Sequence, residues 1–388
     1  MNLKSIIKGI CFLVVCTAVV VFLYSRMHVD YQMSDTKQEL NEENEVREVE
    51  EIIFPEHYKK KVDESLSFDV TVCVDEKVDT DNFYNATAKM KTLDKERIVP
   101  YFMGENAVLV QESEISMYCG DGYGQIYKDE EKELVITDNF FSYYKIPDSD
   151  CIFTTFYTDE NTEEYNADLY SLDSDLDFMP REEAWSQVID CMEVLGIDLT
   201  DVVQRATYSL DMETMEREEI CIDVDGNIVE SEMNQEWSKE NEGYYYFIEQ
   251  SNQGIPIYYI NQFEGEYVDR VKLRIFQTKN GIVGINFDGW YDVELGEEKL
   301  RFLPFEEIMN VIEKKYSGTI MTNPLTVKKA TLYTFPMQTS ESTYVLVPVW
   351  ACTIEEELAD NQGGTYTQNI YMPINAITGE EMLKLEIR

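Results

Sequence analysis

Apolar and polar residues alternate along several short segments of the chain, which is the pattern of a β-strand with one buried face. Between Phe68 and Val74 every second residue is apolar, and Val108–Val110 and Leu134–Ile136 are further short apolar runs. Successive side chains on a strand point to opposite faces, so this spacing places the apolar set on one side. The sequence therefore predicts a β-rich domain over residues 59–175.

Two later segments have apolar residues at helical spacing instead. Each opens with a proline that is followed within three residues by two glutamates, at Pro180 and at Pro304. Proline suits the first helical turn, and acids there complement the positive end of the helix dipole. Gly196 and Gly318 are placed to end the two helices. The apolar faces comprise Ala184, Trp185, Val188, Cys191, Met192 and Leu195 in the first, and Ile308, Met309, Ile312 and Tyr316 in the second.

These helices belong to a repeat with an offset of 124 residues. The segment that begins at Pro180 returns at Pro304, and Val203–Thr207 returns as Val327–Thr331. Strand-like segments follow each helix. A helix beside several strands favours packing on one face of an antiparallel sheet. The sequence thus predicts an α+β fold with two repeated helix-on-antiparallel-sheet units, residues 176–300 and 301–388.

The second unit resembles a known kind of domain. The strand Val347-Pro348-Val349-Trp350 and the segment Ile374–Glu380 are similar to the PepSY-type domain. Two such units behind a membrane anchor resemble the YycH/YycI group of extracytoplasmic regulators of a sensor kinase, and also uncharacterised membrane-attached or lipoprotein families of clostridia. The resemblance covers residues 179–388. It implies PepSY-like units and a regulatory role with an envelope or membrane protein as partner, such as a sensor kinase, and it supplies no catalytic residues.

The N-terminus has the composition of a membrane anchor. Gly9–Tyr24 contains no charge and follows Lys4 and Lys8. As a helix it would be about 24 Å long, slightly short of a hydrocarbon core of about 30 Å. A cleaved signal peptide is disfavoured because no small-x-small site follows the run, and a lipoprotein is disfavoured because valine precedes Cys16.

Residues 1–26 are therefore predicted to be a cytoplasmic tail and an N-terminal membrane-anchor helix, an uncleaved signal anchor. Residues 27–58 are predicted to be an acidic stalk. Positive charge on the short N-terminal side places that side inside the cell. This predicts a single-pass cell-membrane protein whose C-terminal domain is extracytoplasmic.

The net charge of −44 restricts the partners of the chain. Binding to nucleic acid requires clustered lysine and arginine, so nucleic acid is not a predicted partner. Anionic lipid surfaces and wall polymers would repel the bulk of the chain for the same reason. A basic protein or a divalent metal ion is electrostatically permitted.

Histidine and cysteine usage argues against several kinds of enzyme. His28 and His57 are the only histidines, so a catalytic triad that needs imidazole is not expected beyond residue 57. The chain has no CxxC motif that would indicate a zinc ribbon or a thioredoxin-like site. No catalytic residue, cofactor or metal site is therefore predicted. Six cysteines follow the anchor, and their pairing stays open: Cys73, Cys119, Cys151, Cys191, Cys221 and Cys352.

The many acids leave two other functions open. A glycan hydrolase needs two carboxylates about 5 to 9.5 Å apart, so a cell-wall hydrolase is one alternative. A ligand- or calcium-sensing ectodomain is the other, because acids alternate at Asp173–Asp177 and at Asp223–Asp225. The latter does not fit an EF-hand loop, whose glycine is at position 6. Asn85-Ala86-Thr87 matches a glycosylation acceptor.

Exposed tyrosine is common at protein interfaces, and this chain has 26 tyrosines. A possible contact surface is predicted at Tyr244, Tyr245, Tyr258, Tyr259 and Trp350. The alternative interpretation is that these are ordinary core and sheet residues. The leading prediction is a membrane-anchored extracytoplasmic module for protein interaction or regulation, without catalytic activity.

Overall fold

The computed structural model describes residues 54–104, 107–117, 120–145, 170–171, 173–218, 237–258, 272–317, 323–340, 342–359 and 364–382. Residues 52–388 form one compact unit. Strands account for 53% and helices for 18% of the structure. The fold is therefore mostly β, and its helices pack against parts of the sheets.

The first sheet has seven strands. Their order is β1-β2-β14-β15-β3-β13, and β16 pairs with β15 beside this path. The strands are β1 (His57–Lys61), β2 (Leu66–Cys73), β3 (Tyr84–Met90), β13 (Tyr291–Lys299), β14 (Leu325–Ser340), β15 (Thr343–Ala359) and β16 (Thr365–Asn375). Among the described strands, β2 and β14 form the one parallel pair.

The second sheet has nine strands. Their order is β10-β9-β11-β12-β7-β6-β5-β4, and β8 also pairs with β9. The strands are β4 (Leu109–Met117), β5 (Gly120–Lys128), β6 (Lys132–Ile136), β7 (Phe141–Lys145), β8 (Val202–Leu210), β9 (Gly243–Asn252), β10 (Ile255–Pro256), β11 (Leu273–Thr278) and β12 (Gly281–Phe287).

Strand β9 is buried along its whole length because both of its faces are covered. Tyr244 and Tyr246 point into the largest core, and Tyr245 and Phe247 point into a second cluster on the opposite face. A strand covered on both faces needs no polar alternation. This explains why β9 has a continuous aromatic run.

Four α-helices occur among the described residues: α1 (Lys95–Met103), α2 (Arg181–Val194), α3 (Met212–Glu218) and α4 (Phe305–Ser317). The Asp94 side chain caps α1 by accepting a hydrogen bond from the backbone N of Arg97. Helices α1 and α2 pack into the largest core, which the nine-stranded sheet and part of the seven-stranded sheet share. Helix α4 packs on β2 and β14–β16 in a separate core.

The predicted α+β architecture of two helix-on-sheet repeats, PepSY-like in form, is wrong. Helices α2 and α4 do begin 124 residues apart, at Arg181 and Phe305. However, α2 covers a sheet that includes β4–β7, and α4 covers a sheet that includes β1–β3. Each sheet therefore depends on strands from the first third of the chain, and neither predicted unit contains its own complete sheet. A local repeat in sequence does not reveal such distant pairing.

The domain boundaries predicted at residues 58, 175 and 300 are not tested as folding boundaries and stay predictions. The predicted anchor, residues 1–26, and most of the predicted stalk lie outside the described residues. Within the described ranges, no helix is both long and apolar enough to cross a membrane. The prediction of a single-pass membrane protein is corrected on this finding, and a membrane location is not retained.

Two glutamine side chains join the sheets where β9 meets the seven-stranded sheet. Gln250 Nε2 donates to Tyr291 O at 2.8 Å, and Gln250 Oε1 accepts from Tyr291 N at 2.8 Å. Gln253 bonds in the same way to Tyr84, with Nε2 to O at 2.8 Å and N to Oε1 at 2.9 Å. Each side-chain amide thus satisfies both polar groups of one residue at a strand start, as a neighbouring strand would.

A close approach of the Asn85 side chain to the backbone of β13 fixes the bulge between β3 and β13. The pairing shifts register between Leu295 and Lys299. Asn85 fills the space, and its Oδ1 accepts from Glu298 N at 3.2 Å. A Cβ on Gly296 would lie 2.1 Å from this Oδ1. The bulge therefore requires glycine at 296, and it uses the side chain of the predicted glycosylation acceptor, which itself stays a prediction.

We expect Gln250→Glu to lower the free energy of unfolding by about 3 kcal/mol. The carboxylate cannot donate to Tyr291 O, and it is buried beside that carbonyl. Chemical denaturation measures the change. Gln111→Glu, at an exposed position on β4, is the control and should change stability by less than about 0.5 kcal/mol. Equal effects at both positions would contradict the importance of the junction.

We expect Gly296→Ala to destabilise the fold by about 1–2 kcal/mol, because Asn85 must move and release Glu298 N. Asn85→Ala removes the clashing group. In a double-mutant cycle, Gly296→Ala should therefore cost less in the Asn85→Ala background than in the native chain. Strict additivity in denaturant melts would show that the bulge does not depend on this contact.

Candidate functional site

The residues predicted as a contact surface lie inside the fold. Tyr244, Tyr245, Tyr258 and Trp350 are each at most 3% exposed. Tyr259 lies outside the described residues. A protein partner cannot reach side chains that are buried to this degree, so these four do not form an exposed surface. Their positions fit the alternative interpretation of core and sheet residues.

Two of these aromatic residues have clear packing roles. Tyr244 OH donates to Met179 O at 2.7 Å and accepts from Leu176 N at 2.7 Å, so it fixes the chain just before α2. Burial raises the pKa of this phenol. Trp350 packs edge-on against Phe54 and Phe305, with 5.0 Å between ring centroids in each pair. Both residues therefore position elements of the fold.

A buried polar cluster lies on one face of the nine-stranded sheet. Arg274 on β11 is opposite Asn286 on β12. Two positions along, Asp288 N donates to Lys272 O at 3.0 Å. On the other side of β11, the antiparallel register brings Glu249 of β9 next to Lys272. The residues of the cluster, Glu249, Lys272, Arg274, Asn286 and Asp288, therefore share a face.

The charges in this cluster balance. Asp288 Oδ2 lies 3.6 Å from Lys272 Nζ and 3.5 Å from Arg274 Nη2, and all three side chains are at most 13% exposed. Two cations next to two carboxylates leave no excess charge that would attract an ion from solution. Buried ion pairs of this kind add little net stability, but losing one partner is costly. We interpret the cluster as structural.

The two buried cysteines among the described residues, Cys191 and Cys352, are not suited to nucleophilic chemistry. Cys73, Cys191 and Cys352 are free thiols. Burial raises the pKa of Cys352 to about 12 and also raises that of Cys191. Both buried groups are therefore protonated near neutral pH, and the thiol form is a weak nucleophile. The other three cysteines after the anchor, Cys119, Cys151 and Cys221, lie outside the described residues.

Two of the acids that suggested calcium, Asp175 and Asp177, have local partners. Asp175 Oδ1 accepts from Arg181 N at 3.0 Å, ahead of α2. Asp177 pairs with Lys239, and this contact lowers the pKa of the aspartate. No group of three or more metal-ligating side chains occurs among the described residues. Asp223 and Asp225 lie outside them.

Exposed apolar side chains concentrate at the edge of the nine-stranded sheet. Val108, Leu109 and Val110 are 57%, 44% and 53% exposed, and Tyr123 on the adjacent strand is 57% exposed. The other large exposed apolar residues, Tyr101, Leu199, Leu295, Val345 and Tyr366, are spread over five different elements. Single exposed apolar residues are normal, whereas a cluster marks an interaction site. We refer to residues 108–114 together with Tyr123 as the β4 edge.

The β4 edge also has backbone groups that no described strand pairs. Strand β4 is the last strand of its sheet and pairs with β5 alone among the described strands. The register shifts between Leu109 and Gln111, which makes Val110 the extra residue of a bulge. Beyond the bulge, Glu112 is opposite Gln125 and Glu114 is opposite Tyr123. These two glutamates therefore lie on the same face as Tyr123.

Sequence reasoning identified Val108–Val110 as a strand but did not identify it as a contact surface. The available signal was the abrupt change from an apolar run to Gln111-Glu112-Ser113-Glu114. That pattern alone does not distinguish an edge strand from an inner strand. The tyrosine-rich runs were more conspicuous, and they are buried.

We expect Asp288→Asn to destabilise the fold by about 3–5 kcal/mol, because two buried cations lose a nearby negative charge. Asp292→Asn is the matched control. Its bridge to Lys91 is shorter, 3.0 Å, but Asp292 is 63% exposed, so its loss should cost about 1 kcal/mol or less. Urea unfolding of both variants tests whether burial or distance sets the cost. A larger effect at Asp292 would contradict the structural interpretation of the cluster.

Comparison with known proteins indicates the fold and nothing more specific. No family model matches this chain, and no curated protein matches it. Solved structures similar to it include the 1.45 Å crystal structure of an uncharacterised protein from Eubacterium rectale, with a TM-score of 0.59 and 17% identity over 85% of this chain and 94% of that chain. At that identity the likeness is one of fold alone. The resemblance to the YycH/YycI group stays a prediction, whereas the topology of the two sheets contradicts the PepSY-like repeats.

Proposed function

We propose that this chain is a non-catalytic protein-binding module that recognises an extended segment of another protein along the β4 edge. The supporting observation is the coincidence of clustered exposed apolar side chains with a strand edge that no described strand pairs. An extended peptide can add to such an edge as a further strand, where main-chain hydrogen bonds supply affinity and side chains supply specificity. An edge left open in this way would otherwise favour aggregation.

The exposed side chains can add to the affinity of such pairing. Leu109 is opposite Tyr127, which packs against the largest core. An added strand would lie beside Leu109 and extend this apolar surface outward. Burial of apolar area stabilises a complex by roughly 25 cal/mol per Å². The exposed apolar residues therefore add affinity to a complex in which backbone hydrogen bonds align the added strand.

The two alternatives from the sequence gain no support from the described residues. A glycan hydrolase would need two acids that face a common cleft, and the 76 acids of the chain single out no such pair. A calcium sensor would need a group of oxygen ligands, and the described acids show no such group. We therefore retain one function.

Site-specific crosslinking tests the proposal in the cells that produce the protein. A photoreactive phenylalanine analogue replaces Gln111 in the full chain, and Leu295 on β13 is the control position. We expect a discrete adduct from position 111 alone. The purified partner should then bind the native chain, and Leu109→Ser with Val110→Ser should weaken that binding about ten-fold.

Two results would contradict the proposed function. One is the same adduct from both positions, because this would reflect abundance instead of recognition. The other is a captured protein that does not bind the purified full chain. Circular dichroism of each variant shows whether the fold is intact, so that lost binding is not confused with unfolding.

A further inference from the structure

We infer that the segment that binds the β4 edge is basic, with lysine or arginine at alternate positions and apolar residues between them. This inference rests on the proposed function and specifies the chemistry of the partner. The backbone groups of the β4 edge would pair with any extended chain, so they do not by themselves specify a basic partner.

The charge around the edge favours a cationic partner. Residues 105–133 contain eight acids and two lysines, and one of these, Lys128, is paired with Glu133 at 2.6 Å. The whole chain carries −44. Complementary charge raises the association rate and suppresses binding of the wrong partners. An acidic segment would be repelled before any backbone pairing could form.

The positions of the glutamates specify the spacing in the partner. Glu112 and Glu114 are both exposed and are two residues apart on one strand. Alternate residues on a strand lie on the same face, about 6.7 Å apart. A partner strand therefore places its own alternate side chains beside these carboxylates. Gln125 Nε2 donates to Glu112 Oε1 at 2.9 Å, which leaves the second oxygen, Oε2, available to a cation.

A second copy of this chain is the less favourable occupant. Antiparallel pairing of two β4 strands centred on Ser113 would bring Glu112 of one copy opposite Glu114 of the other. Opposed Cβ atoms lie about 4.5–5.5 Å apart, and like charges at that distance are destabilising. The two copies would also each carry −44. Charge complementarity therefore assigns the edge to a different, basic chain.

Defined peptides test this inference on the purified full chain. The probe is a peptide of alternating lysine and valine with the nine-residue length of β4. One matched peptide has glutamate in place of lysine, another has threonine, and a third has the lysine sequence with N-methylated valine amides. Isothermal titration calorimetry measures affinity at low and high salt. Light scattering reports whether the native chain self-associates.

We expect the lysine peptide to bind, and the glutamate and N-methylated peptides to bind at least about ten-fold more weakly, which corresponds to about 1.4 kcal/mol. The combined Glu112→Lys and Glu114→Lys substitutions should raise the dissociation constant of the lysine peptide about ten-fold. Glu294→Lys with Glu297→Lys makes the same charge change on β13 and should have a much smaller effect. Added salt should weaken binding, because it screens exposed charges.

Several results would overturn the inference. Equal weakening by the β13 substitutions would mean that the peptide binds the acidic surface in general. Preference for the threonine peptide would assign an uncharged partner, and concentration-dependent dimerisation that Leu109→Ser with Val110→Ser abolishes would assign a second copy. The first two results would leave the proposed function intact, because crosslinking at Gln111 and rebinding of the captured partner test that function separately. An unchanged affinity after N-methylation would overturn strand addition itself.

Discussion

The structure depends on hydrogen bonding of backbone groups at the place where two sheets meet. A strand that starts against a foreign sheet has polar groups that its own ladder does not satisfy, and a buried unsatisfied group costs about 1–3 kcal/mol. Gln250 and Gln253 meet this requirement at Tyr291 and Tyr84. Both glutamines come from β9 or the turn that follows it. One short segment of the nine-stranded sheet thus fixes the start of two strands in the other.

Local sequence patterns predicted where helices begin but not which strands pair. The starts of α2 and α4 could be read from the residues around Pro180 and Pro304, because caps, dipole and apolar face are local properties. The partners of the strands could not be read, since β2 pairs with β14 across more than half of the chain. The fold is mostly β because of such distant strand pairing, which the repeat in the sequence does not reveal. The aromatic run in β9 was equally ambiguous, because a strand buried on both faces has no alternation.

The candidate site was less predictable than the fold. Val108–Val110 is an apolar run, and whether it is buried depends on its place in the sheet order. Strands β11 and β12 join β4–β7 to β9, and the pairings of β9 with β11 and of β12 with β7 are not apparent locally. Likewise, two buried cations, Lys272 and Arg274, were not expected in so acidic a chain. Both are buried because β11 is an inner strand. A carboxylate lies near them on each side, Glu249 from β9 and Asp288 just after β12.

The other ends of the described sheets show why the β4 edge is distinctive. Strand β1 carries Lys59, Lys60 and Lys61, and β13 carries a row of acids, so both edges have the charges that discourage pairing. The C-terminal part of β16 is covered by the chain itself, where Met382 N donates to Pro373 O at 2.9 Å. The β4 edge combines apolar residues with only two glutamates. An edge with this composition rejects copies of its own chain by charge while it keeps the means to bind a cationic one.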